Sequence, residues 1–349
     1  MRNTELRSRA RLRFSRRGLL AVLVAVMGMI GATAFAAPAG AERTDHLTRT
    51  GQQTWYVETG QQSRSGGIQG MAFLPGELWV HRGDTVVWRA DSMEPHTVSF
   101  LDAAHPAGPF DPSVGYMVNR TPETTISAPG QFRNSGVLDT VPDAELGTQY
   151  RSYQLTFTGT GDYHYICFLH GVYMTGVVHV QDGGRLPYTQ HQYDRRAERQ
   201  AARIIEHGRR LQRFARSGAS NHHVLVGAAD GTAMVMKMLP KWVVIRQGET
   251  IDFDANMNGV PVPHTVTFGP EPQAPVPVGD PTNFHAGDQL SSGTMMPASA
   301  GVPNAPSHYR VTFRDAGVFT YICMFHDMMG MRGTVIVLPA RGEHQPPAD

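Results

Sequence analysis

Cysteine is scarce in this chain: 349 residues hold only two. Charged residues make up 17%, with 31 basic against 30 acidic side chains, so neither sign dominates. The length suits two domains of ordinary size better than one small one. An apolar fraction of 41% is enough to build cores, and the modest charge argues against wholesale disorder. The 37 glycines and 24 prolines imply many turns, as an all-β protein needs.

Residues 1–41 read as an export signal. Seven arginines crowd the start, ending at Ser15-Arg16-Arg17-Gly18-Leu19-Leu20, and an apolar run follows to about Phe35. Two small-x-small sites come next, Ala34-Phe35-Ala36 and Ala39-Gly40-Ala41. The Ser-Arg-Arg-x-Leu-Leu core resembles the twin-arginine type. An ordinary secretory signal and an uncleaved anchor are the other readings, and an anchor is the only route to membrane association that the sequence offers. The expected location is therefore exported: periplasmic, extracellular or attached to the cell envelope. Without residues 1–41 the chain keeps 24 basic and 29 acidic side chains, a formal charge of −5. Such a chain has no field to gather a polyanion, and nucleic acid is excluded as a partner class.

The remaining chain is written twice. LPGELWVHRGDTVVWRADSMEPHTVSF (Leu74 to Phe100) parallels LPKWVVIRQGETIDFDANMNGVPVPHTVTF (Leu239 to Phe268). Each holds a strand, a Gly-acid-Thr turn (Gly83-Asp84-Thr85, Gly248-Glu249-Thr250), a second alternating strand and Pro-His-Thr-Val. Downstream, Tyr153 precedes Cys167 and Tyr309 precedes Cys323 by the same 14 positions. Between His and Cys the copies differ, 71 positions against 59, which places insertions in Gly/Pro-rich loops. Because the cysteines occupy equivalent places in separate copies, a disulfide between them is not expected.

Between the copies, Asp194 to Arg216 carries Ala201, Ile204, Ile205, Leu211, Phe214 and Ala215 at three- and four-residue steps. This predicts an amphipathic linker helix capped by Asp194, with eight arginines on its other faces and a bend at Gly208.

Each copy also offers one chemistry: His96, Cys167, His170 and Met174 in the first, His264, Cys323, His326 and Met331 in the second. Two imidazoles, a thiolate and a remote thioether are the ligand set of a blue-copper electron-transfer site. Cys and the second His flank a tight loop, Met closes it, and the first His comes from another strand. The apolar residues of the loops, Phe168, Leu169, Val172 and Tyr173, and Met324, Phe325, Met328 and Met329, are candidates for a dry shell around the metal. The first loop is one residue shorter, and in the second Met328 and Met329 compete with Met331 for the axial place. Met331 is preferred because Met331-Arg332-Gly333 aligns with Met174-Thr175-Gly176.

Other tempting residues read as structural: His164 and His179 on strand surfaces, His222-His223 as exposed polar groups, and Met234, Met236 and Met238 as core, with Cu(I) capture the alternative for the three methionines.

Tyr-x-Cys-x-x-His-x(3–4)-Met-x-Gly downstream of Pro-His-Thr-Val resembles the plastocyanin/pseudoazurin branch of the cupredoxins. The resemblance implies two tandem Greek-key β-sandwich domains, 52–183 and 219–340, joined by a linker with a helix, 184–218, and followed by a polar tail, 341–349. It further implies two type 1 copper ions and an electron carrier with redox protein partners, donor and acceptor unidentified, rather than a catalyst. Two other classes remain open: a copper-handling or delivery protein, and an oxidase or nitrite-reductase-like enzyme with an additional site across subunits. None of the 16 histidines forms the His-x-His pair typical of the oxidases. Each unit has enough apolar strand to fold without metal. If straight, a linker helix of about 22 residues would span roughly 33 Å, too far for fast electron transfer between the domains unless it folds back and the domains pack together.

Overall fold

Alternation of side chains decides the strands. In Thr85–Ala90 the side chains of Val86 and Trp88 are buried and their neighbours are not; Thr250–Asp254 repeats this with Ile251 and Phe253. The acid of each Gly-acid-Thr turn ties the turn to nearby strands. Asp84 accepts from the backbone N–H of Gln53 at 2.7 Å and from Trp55 Nε1 at 2.8 Å. Glu249 accepts from the Arg246 N–H at 2.8 Å.

The computed structural model describes residues 51–141 and 148–342. The expected export signal, 1–41, and all but the first two residues of the polar tail lie outside the described residues. The protein is mostly β, with two cupredoxin-like domains and a long helix between them. In the first domain, Thr54–Gln62 pairs antiparallel with Ile68–Leu74 and parallel with Thr85–Ala90. In the second, His223–Ala229 pairs in the same two ways with Ala233–Leu239 and Thr250–Asp254. Across the core of each sandwich lies the sheet that carries the cysteine: Gly161–Cys167 beside Gly171–Gln181 in one, Gly317–Ile322 beside Arg332–Leu338 in the other.

The domains share a sheet. Ile68–Leu74 and Ala233–Leu239 would each be an exposed edge, a hazard for uncontrolled pairing. They pair antiparallel with one another instead, Gly70 opposite Ala233 and Ile68 opposite Val235, giving one nine-stranded sheet. Both strands are buried on both faces, which accounts for their nearly continuous apolar sequence. Met234, Met236 and Met238 face the core, as expected. Val235 and Leu239 face the other way, against Ala215 and Leu211 of the helix.

That helix, Gln190–Ser217, starts before the expected cap at Asp194. Thr189 caps it through a reciprocal pair with Gln192: the threonine side chain accepts from the Gln192 N–H at 3.4 Å, and Gln192 Oε1 accepts from the Thr189 N–H at 2.8 Å. The early start also buries Tyr193, whose hydroxyl accepts from the Trp79 N–H at 3.1 Å. Asp194 serves instead as an acceptor for Gln190 Nε2 at 2.6 Å. Ile204, Ile205 and Ala215 are buried as the spacing predicts, but Phe214 is 68% exposed. Gly208 lies against the sheet: a Cβ there would meet Ile68 Cγ2 at 2.4 Å. Its role is close approach. The helix thus covers the shared sheet and does not hold the domains 33 Å apart. Among the described residues no helix is long and apolar enough to cross a membrane.

Candidate metal centres

Two groups of ligand-type side chains converge, one in each domain: His96, Cys167 and His170, and His264, Cys323 and His326, with the donor atoms of each group within 4.8 Å of one another. In the first, Cys167 Sγ lies 3.9 Å from His96 Nδ1 and 3.4 Å from His170 Nδ1, and the two nitrogens are 3.2 Å apart. In the second the corresponding distances are 3.8, 3.4 and 3.2 Å. Both cysteines are free and buried, so no disulfide links them.

The first histidine of each copy enters from a short antiparallel bridge, His96 with Leu138 and His264 with Met295. Met295, which the sequence leaves without a role, forms that bridge. A bulge then makes room for the ring. The register of Thr54–Gln62 slips at Gly60, and that of His223–Ala229 at Gly227. Both glycines are left-handed, φ +77 and +78, and a Cβ would sit 2.3 Å from His96 Nε2 or 2.5 Å from His264 Nε2. No side chain fits either position.

Hydrogen bonding settles which nitrogen faces the cysteine. The Ser92 hydroxyl donates to the Glu94 carbonyl, so its oxygen accepts at 3.1 Å from His96 Nε2–H. Asn258 donates its amide to the carbonyls of Val226 and Ala255, leaving Oδ1 to accept from His264 Nε2–H at 3.4 Å. In each ring Nδ1 is left with its lone pair toward the cysteine, as a ligand requires. Burial holds both His96 and His264 well below the usual imidazole range, and the facing His170 or His326 presses the same way. Both rings stay neutral.

The thiols are held from behind. The backbone N–H of Thr97 donates to Cys167 Sγ at 3.3 Å, and that of Thr265 to Cys323 Sγ at 3.4 Å. The threonine hydroxyls accept from Phe168 N–H and Met324 N–H at 2.8 Å, tying the histidine strand to the cysteine loop. Burial alone would raise the Cys167 thiol, but the facing His170 outweighs it and brings the thiol below its ordinary range. His170 answers in kind: burial opposes its charge, yet the Cys167 thiolate and Glu94 push it up to about 10.

Met174 and Met331 are both buried. Of the two rivals for the second axial place, Met328 is 59% exposed and Met329 is buried. The backbone N–H of Cys323 donates to the Met331 carbonyl at 3.0 Å, so Met331 lies directly across the loop from the cysteine. The apolar shell is smaller than expected, since Val172 and Tyr173 point outward, 80% and 45% exposed, while Phe168 is buried. His222 and His223 pair with Glu249 and Asp254, and among the described residues neither belongs to a cluster with metal-binding geometry. His179 stacks on Trp79 with centroids 4.2 Å apart.

Sequence reasoning missed Ser92, Asn258 and Glu94. The first two are polar residues in loops that are otherwise hard to align. Glu94 had a visible signal: Glu94-Pro95-His96-Thr97 stands against Val262-Pro263-His264-Thr265, an acid beside a ligand in one copy only.

Two ring nitrogens and a deprotonable sulfur, largely buried and with a thioether in the same loop, suit copper held between its nitrogen and sulfur preferences. Fold and donor set together define a duplicated β-sandwich metalloprotein of the cupredoxin class, with one His-Cys-His-Met group per domain and two type 1 copper sites. Residues 61–181 and 222–338 each match the copper-binding proteins of the plastocyanin/azurin family. The chain belongs to that family. It is 29% identical over 111 residues to plastocyanin of Ginkgo biloba, a match covering 32% of this chain and 88% of that protein. Among solved structures it is similar to a reduced Cu(I) amicyanin variant, at 20% identity and a TM-score of 0.22, covering 37% of this chain and 82% of that one. An oxidised amicyanin variant is similar at 21% identity and a TM-score of 0.23, with the same coverage.

Proposed function

We propose that this chain is an exported electron carrier that exchanges single electrons with redox protein partners at a type 1 copper in each domain. His96, Cys167 and His170 would hold one ion, with Met174 axial; His264, Cys323 and His326 would hold the other, with Met331 axial. Bound copper supplies a one-electron couple. The chain supplies rigidity: Ser92 and Asn258 fix two rings, the Thr97 and Thr265 amides restrain the sulfurs, and burial keeps water out. A cage that cannot relax when charge changes favours rapid one-electron exchange. The observation that carries this reading is the convergence, twice, of two Nδ1 atoms on one buried Sγ.

Burial also favours a resident ion over a delivered cargo. Both cysteines and both first histidines are at most 1% exposed, so a chelator should strip the metal slowly. Visible absorption tests the carrier reading. The copper-loaded chain should bind two ions, show an intense thiolate-to-copper charge-transfer band, and titrate as one-electron couples. Cys167→Ser and Cys323→Ser should each remove one centre and leave the other. A loaded protein without that band, or with turnover of oxygen or nitrite at a third copper, refutes it.

A further inference from the structure

The two centres meet at one side chain. Glu94 belongs to the first domain, two positions before His96, yet its carboxylate lies between a histidine of each domain. Oε1 is 3.4 Å from His170 Nε2, and Oε2 is 4.0 Å from His326 Nε2. All three side chains are largely buried, 6% of each histidine side chain and 9% of the glutamate side chain being exposed. Among the described residues, Glu94 Oε2 makes no hydrogen bond. A buried, incompletely paired carboxylate is costly, and its position between two imidazole nitrogens calls for a reason.

The ring geometry supplies one. His170 and His326 each turn Nδ1 to their own cysteine at 3.4 Å. Nε2 of each then points away from its cysteine, and both arrive at the same carboxylate. With a proton on Nε2, the Nδ1 lone pair is committed to a metal; a carboxylate accepting that proton fixes the ring and makes it a better ligand. The first histidines have private acceptors, Ser92 and Asn258. The second histidines both bring Nε2 to within 4.0 Å of one carboxylate. No equivalent acid exists in the second copy, where Val262 stands two positions before His264.

We propose that Glu94 is a shared positioning residue for both metal centres, its two oxygens orienting His170 and His326 and so linking metal loading in one domain to that in the other. The proposal rests on reading the two His/Cys groups as copper sites. An ion bound in either domain holds its histidine still and draws the carboxylate into place. The other histidine then finds its acceptor already ordered, so the second ion binds more tightly than it would alone.

The test uses the full chain and competition for Cu(I) with a chelator of known affinity. Glu94→Gln puts an amide nitrogen in place of one carboxylate oxygen, and Glu94→Ala removes both oxygens. In the alanine variant both sites should lose about 10- to 100-fold in affinity. With Glu94 present, destroying one site by Cys167→Ser should weaken copper binding at the other several-fold; in the Glu94→Gln background that difference should vanish. Melting of the metal-free variants separates positioning from folding, because a purely structural role would lower the melting temperature and leave both affinities untouched. A second measurement needs no variant: in the Cu(I)-loaded wild type, the Nε2 protons of His170 and His326 should exchange slowly with solvent. Unchanged affinities at both sites in the alanine variant, or rapid exchange of either proton, overturns the proposal. A wild-type chain with no thiolate-to-copper band would overturn the copper reading instead, and that result is distinguishable from either of these.

Discussion

A histidine becomes a metal ligand only when its other nitrogen is occupied and its proton can leave, and the first site makes the second condition measurable. At neutral pH in the metal-free protein, the Cys167 thiolate and Glu94 keep His170 protonated against the cost of burial, up to about pH 10. Its ordinary range lies near 6.5, so copper must displace a proton throughout the interval between. The sign follows: in the Cys323→Ser chain, apparent affinity at the first site should rise as pH is raised from about 7 to about 10 and flatten above it. Chelator competition at several pH values measures this; an affinity independent of pH across that interval would show that His170 carries no proton to displace. At this scale the sequence was legible where chemistry repeats. His96, Cys167, His170 and their counterparts stand at ligand spacing in both copies, and the structure brings each set together. Glu94 was not legible as a partner of His326, because nothing local in either segment encodes an encounter between two domains. Ser92 and Asn258 act alike from unlike side chains, so comparing the copies conceals them.

Among the elements, the helix shows how periodicity finds existence more reliably than limits or orientation. Three- and four-residue spacing identified it, but the reciprocal Thr189–Gln192 cap and the burial of Tyr193 set its start. Phe214 fits the apolar stripe in sequence and is nevertheless exposed, while its neighbour Ala215 is the residue that packs against the sheet. Gly208, where the sequence suggests a bend, is a close contact: a Cβ there would meet Ile68 Cγ2 at 2.4 Å. A side chain there would gain up to about 1 kcal/mol in helix propensity. Overpacking against a stiff β-branched neighbour costs about 1–3 kcal/mol, and a large residue tips the balance. Gly208→Leu should therefore destabilise the chain by about 2 kcal/mol, whereas Phe214→Ala should change stability by less than about 0.5 kcal/mol. Urea unfolding of the full chain measures both. Equal effects would mean that the helix does not seat on the shared sheet through Gly208.

For the whole molecule, the duplication in the sequence leaves open whether the linker holds the two units apart or lets them pack together, and the strand pairing makes them one body. Apolar alternation predicted two sandwiches because it reports which face of a strand is buried; it carries no information about which strand lies alongside. The pairing of Ile68–Leu74 with Ala233–Leu239 joins the halves through backbone hydrogen bonds, and the buried core runs without a break from Trp55 in one to Val337 in the other. Helix packing on the same two strands reinforces the seam, and His207 Nε2 anchors the helix to Asp230 of the second domain at 2.5 Å. Neither domain can unfold without exposing the edge and core of the other, so metal-free protein should unfold in a single cooperative transition with calorimetric and van't Hoff enthalpies equal. Copper, bound to the folded form, should shift that one transition upward, and with either cysteine replaced the transition should remain single while the shift shrinks. Two resolved transitions in the metal-free chain would mean that the shared sheet does not couple the domains, and the close approach of His170 and His326 to one carboxylate would lose the framework that holds it.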